Sequence, residues 1–282
     1  MYRAAAPDGG TAPAWLGVGG AWRRSFGAAS DCARDPALRA YVADMLRPYG
    51  LDLAEDRLTE GQSYGEMAGA LLTQELVAQD PIDLLVFAFA VPDVAPWRAT
   101  ACYLSHLCPG QPFAFAVCDQ GVVAPFTALR LIREYASTGG CRRALLVVAE
   151  QAAMPYQQVG PAAMPASHAV VALLFDQGPR SVSGHLERVR LHAGVTESQA
   201  CRLVGDAVAD MSATATTVVG TGLAGAELTA GLPGRVVVAP PGQPSTGVWW
   251  ELAAGLPGPV LLADYDSGLG HLGLAVIEIP GE

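Results

Sequence analysis

Short, nearly unbroken apolar runs set between helix-length stretches are the feature that most limits how this chain can fold. Residues 83–91, Asp-Leu-Leu-Val-Phe-Ala-Phe-Ala-Val, are too short and too uniformly apolar for a surface helix, and read as a central strand covered on both faces. A helix over 98–107, a strand over 112–118, a longer helix over 124–137 and a strand over 143–150 follow in turn. Strand and helix alternating in this way predict an α/β protein with a parallel sheet layered by helices.

The flanking segments extend that pattern. A helix is expected over 36–46, and Ser63 with Glu66 three residues on reads as a capping box. The box opens a helix that carries Met67, Leu71, Leu72 and Leu76 inward and stops near Asp80 and Pro81. Beyond the apolar strand 168–175, residues 181–192 alternate imperfectly and suit an edge or antiparallel strand. The remainder predicts a helix (198–211), strands (217–219 and 235–239), a short helix (247–255) and two closing strands (259–265 and 272–279). The order resembles that of the first half, so the chain divides into two similar halves, 1–178 and a shorter 179–282. Residues 1–35, rich in Gly, Ala and Pro without a period, are expected to form a loop-rich arm.

With 282 residues and 51% hydrophobic content the chain can bury a large core. Its net charge is −10, and its basic residues are scattered apart from pairs such as Arg23-Arg24 and Arg142-Arg143, so nucleic acid is not an expected partner. No apolar run approaches the ~20 residues that span a bilayer, and the first residues hold no continuous hydrophobic segment, so a cytoplasmic protein without membrane contact is expected. The six cysteines include no CxxC pair and no histidine at ligand spacing. Disulfides, a metal site and a cofactor are therefore not expected, and most of the thiols read as small apolar side chains.

Several pieces, taken in order, are similar to one family. They are Pro81-Ile-Asp-Leu-Leu-Val86, Ala99-Thr-Ala-Cys-Tyr-Leu104, the strand-elbow-helix Pro112–Leu129, Thr138-Gly-Gly-Cys-Arg-Arg-Ala-Leu-Leu-Val-Val148, and the closing segment from Gly258 through Asp-Ser-Gly-Leu-Gly-His271 to Ile277. Together they resemble the thiolase superfamily, and within it the ketosynthase III (3-oxoacyl-ACP synthase III) branch. The resemblance implies a layered αβαβα sandwich of two similar halves, dimeric through the strand before the nucleophile. It also implies acyl transfer from a thioester by a cysteine at a helix N-terminus, where the helix dipole lowers the thiol's proton affinity. A His and an Asn, or a second His, assist, and backbone N–H groups from the elbow and from a glycine loop hold the oxyanion.

Compared with that pattern, Cys118 stands three or four residues early. The family's register, counted from Phe115 or from Ala128-Leu129, falls on Gly121 or Val122. Asp119 next to Cys118 opposes ionisation of the thiol, whereas Cys118-Asp-Gln-Gly121 can also be read as a Cys-x-x-Gly elbow with Cys118 as nucleophile. The window expected to hold the supporting His, 218–222, has Thr221 and no His; the segment expected to hold the Asn, 241–247, offers Gln243 and Ser245. His271 follows Gly268 in the counterpart of the pocket loop, which makes His271 a catalytic candidate and Gly268 an oxyanion candidate. In length and in its altered elbow the chain resembles the nucleophile-lacking small subunit of the two-subunit alkylquinolone synthase. The expectation is therefore a degenerate, non-nucleophilic partner of a catalytic condensing or acyl-transfer enzyme. The alternatives are a self-sufficient acyltransferase using Cys118, and a small-molecule binding protein. Expected partners are a catalytic ketosynthase III homologue or a second copy, with acyl carrier protein or CoA thioester as further candidates, although the acidic net charge disfavours docking of acidic carriers.

Overall fold

The computed structural model describes residues 16–27, 29–76, 80–156, 163–177 and 184–278. Its strands, numbered along the chain, join one ten-stranded sheet. From edge to edge the order is β3 (Phe113–Val117), β2 (Leu84–Ala88), β4 (Arg143–Glu150), β5 (His168–Asp176), β1 (Gly17–Phe26), β6 (His185–His192), β10 (His271–Glu278), β9 (Val260–Asp266), β7 (Thr216–Val219) and β8 (Arg235–Val238). β3, β2 and β4 are parallel, and the β4–β5 and β5–β1 pairs are antiparallel. On the other side β8, β7 and β9 are parallel, and the β9–β10 and β10–β6 pairs are antiparallel. The second five strands repeat the first five in order and sense, and the two blocks meet where Gly17 of β1 pairs with His185 of β6.

Eight helices complete the described fold. α1 (Pro36–Leu46) and α2 (Glu55–Thr59) share a small satellite core of Leu38, Val42, Leu46 and Leu58. α3 (Tyr64–Glu75) and α4 (Thr100–Leu107) cover the outer face of the first block, and α6 (Glu197–Ala209) and α7 (Ala226–Gly231) that of the second. α5 (Ala124–Ser137) and α8 (Gly247–Leu252) lie in the central layer between the blocks. This gives the five αβαβα layers. Along β4, Ala144, Leu146 and Val148 face the central helices, while Leu145, Val147 and Ala149 face the outer ones. A strand packed on both faces must be apolar throughout, which explains why this run was so legible.

Two expectations are corrected. Residues 17–26, expected within a loop-rich arm, form β1, hydrogen-bonded along its length to β5. Its glycines and arginines concealed it: Arg23 lies over the Trp250 ring and donates to the Trp250 carbonyl, so charged side chains ride on a strand secured by its backbone. At the start of α3, Ser63 makes no side-chain cap. Its own N–H donates to Ser30 Oγ at 2.6 Å and the Tyr64 N–H to Asp93 Oδ1 at 3.2 Å, so distant groups displace the local box. β6 is antiparallel to β10, as expected, and meets β1 only at its first residue, where His185 pairs with Gly17. The proposed boundary at 178/179 and residues 1–15 fall outside the described residues.

Candidate functional site

The ends of β3, β4 and β9 and the starts of α5 and α8 bring together the polar groups of the central layer. After Val117 the chain reaches α5 through Cys118, Asp119, Gln120 and one 3-10 turn, Gly121–Val123. Gly121 has φ +54°, and a Cβ there would lie 1.8 Å from Asp266 Oδ2, so backbone and neighbour both demand glycine. The buried Val122 donates its N–H to Asp266 Oδ2 at 3.3 Å, and Leu269 donates its N–H to Asp266 Oδ1 at 3.0 Å. One carboxylate thus ties the elbow to the turn that links β9 to β10.

A second acid does the reciprocal work. Glu150, the last residue of β4, is fully buried and accepts the Ser245 N–H at 2.9 Å together with the Thr246 hydroxyl, immediately before α8. Burial pushes its carboxyl up to about 7, against the pull of those hydrogen bonds. Asp264, two residues before Asp266, is pushed well above the carboxylate range by burial, with the charges of Glu150 and Asp266 adding to the effect. Its Oδ2 has no hydrogen-bond partner among the described residues, and a Cβ at Gly220 would meet its Oδ1 at 1.8 Å. Each block therefore sends an acid from a strand end to the helix start of the other. Among the described residues, no set of three or more His, Cys, Asp or Glu side chains is arranged to hold a metal ion, and no helix is long and apolar enough to cross a membrane.

No family model and no curated protein matches this sequence. Solved structures do match its shape over nearly the whole chain. The acyltransferase ChlB3 superposes with a TM-score of 0.65 at 16% identity, covering 94% of this chain and 98% of its own. AbyA1, a tetronic acid condensing enzyme, gives 0.62 at 17% identity over 93% and 99%. 3-Oxoacyl-(acyl carrier protein) synthase III from Pseudomonas aeruginosa gives 0.61 at 17% identity over 95% and 99%. The chain has the thiolase fold of ketosynthase III enzymes.

Within the thiolase fold, the residues singled out in the sequence are distributed as follows. Cys118 lies between the end of β3 and the elbow, partly exposed, its S–H directed at Asp119 Oδ2 at 3.3 Å. Burial first, then the hydrogen bond and charge of Asp119, raise its proton affinity. Gly121 and Val122 form the elbow itself. His271 opens β10 as the register partner of Asp266, so strand alternation turns both toward the central layer. Gly268 lies in the exposed turn between them, and Thr221 is exposed on the turn after β7. Ser245 belongs to the other mouth, beside Glu150. Asp266 thus holds the elbow directly, His271 is its register partner on the neighbouring strand, and Ser245 belongs with Glu150 instead. Sequence reasoning did not single out Glu150, Asp264 and Asp266: an acid closing an apolar run looks like the ordinary polar end of a strand. A cavity of about 430 Å³ lies nearby, lined by Phe87, Phe89, Phe115, Asp93, Arg98 and Asp119.

Proposed function

We propose that this chain is a supporting subunit of ketosynthase III type, without a nucleophile of its own, working in the cytoplasm beside a catalytic homologue in fatty-acyl, polyketide or related specialised biosynthesis. The observation that carries this reading is the mouth of α5, which presents Val122 and a carboxylate where the chemistry needs a thiol. Cys118 stands three residues before the elbow, and burial and Asp119 raise its proton affinity. The names of the structural neighbours, a condensing enzyme, an acyltransferase and an acyl-carrier-protein synthase, support acyl thioesters as the substrates of the catalytic partner. β3 offers the pairing surface: it is an edge strand, and Phe113 on it is 49% exposed. A homologue or a second copy joined there would wall the cavity that Phe115 lines.

The competing reading, a self-sufficient acyltransferase that loads Cys118, draws on the partial exposure of that thiol. Mass spectrometry after incubation with acyl-CoA and acyl-carrier-protein thioesters separates the two. The supporting role requires an unchanged mass, and an acyl adduct that disappears in Cys118→Ala would defeat it.

A further inference from the structure

We propose that Asp266 is a resident occupant of the oxyanion site, a side-chain carboxylate held where a working enzyme of this fold would receive the oxygen of its acyl substrate. The idea deepens the supporting-subunit reading and rests on it for its meaning. Its basis is geometric. The resemblance to ketosynthase III enzymes implies an oxyanion site that draws one N–H from the elbow and one from the glycine loop. In this chain the elbow N–H of Val122 goes to Asp266 Oδ2 at 3.3 Å, and the loop N–H of Leu269 goes to Asp266 Oδ1 at 3.0 Å. Both arms are therefore occupied by the two oxygens of one internal anion. Asp266 is 9% exposed, and the glycine at 121 leaves the space that its carboxylate fills. The same anion lies at the N-terminal end of α5, where its charge offsets the partial positive charge of the helix. One residue thereby closes the site to an acyl oxygen and removes the field that would activate a thiol at position 122.

The test installs the missing thiol and then neutralises the acid. In the full-length protein, Val122→Cys and the double variant Val122→Cys with Asp266→Asn are treated with iodoacetamide at pH 7, and alkylation of the peptide containing residue 122 is timed by mass spectrometry. The proposal expects alkylation about tenfold faster in the double variant, the effect of removing one close like charge from a thiolate. Rates within twofold of each other would overturn it. Asp266→Gly provides a second readout should the cysteine variants fail to fold. Formate should raise its melting temperature more than chloride does at equal ionic strength, and should not do so for the parent protein; equal effects of the two salts would also overturn the assignment. An acyl adduct on Cys118 of the parent protein would remove the supporting-subunit reading while leaving this occupancy intact.

Discussion

Glu150 keeps its proton at a pH where an ordinary glutamate has lost it. In the unfolded chain the proton leaves near 4.5, and in the fold it stays until about 7. Between those values the folded state holds the extra proton, so stability is fully present below pH 4.5 and falls as pH climbs through 7. Asp264 moves in the same direction. The loss from Glu150 between pH 5 and pH 8 is on the order of 2–3 kcal/mol. Urea denaturation at those two pH values should show that loss in the parent protein and less than half of it in Glu150→Gln; equal losses in both would refute the assignment. At this scale the sequence was informative about position and silent about company. Counting from Phe115 and from Ala128 put the family's nucleophile position at Gly121 or Val122, and both residues lie in the turn before α5. The counting did not reveal that Asp266, 144 residues after Val122, would be folded onto it, because only the arrival of β9 beneath α5 joins them.

Helix α5 is positioned by a close approach that a larger residue would prevent. A Cβ at Gly273 of β10 would lie 2.5 Å from the Phe126 ring, and that ring packs 4.8 Å from the Trp249 ring of α8. Phe126→Ala should cost about 3–5 kcal/mol as a cavity opens between the helices. Gly273→Ala should cost about 1–3 kcal/mol by overpacking in the parent protein and much less in the Phe126→Ala background. A thermal-denaturation double-mutant cycle with no coupling between the two sites would show that α5 is seated by something else. Elements whose pattern reports burial, such as β2, β4 and α5, were readable from residue order. Those secured by long-range polar partners were not. The Ser63 box gave way to Ser30 and Asp93, whereas the box formed by Thr196 and Gln199 at the start of α6 is complete. β1 escaped notice for the same reason: its partner strand lies some 150 residues away, and three glycines at its start and the adjacent Arg23 and Arg24 break any apolar alternation.

Across the whole molecule, two five-strand blocks of matching order form one sheet with unlike edges. β3 carries Phe113 and Phe115 to one edge, and β8 brings Arg235 and Val238 to the other. If β3 is the assembly surface, Phe113→Lys should convert dimers, with itself or with a homologue, to monomers in sedimentation velocity while leaving the melting temperature nearly unchanged, since the ring is half exposed. An unaltered association state would send the search to another face. The exchange of acids between the blocks has a historical consequence as well. A gene that discards the thiol loses only a reaction, but a gene truncated between Asp176 and His185 would strand Glu150 without Ser245 and leave α5 without Asp266. Neither block, cut from the other, would keep its helix mouth tied.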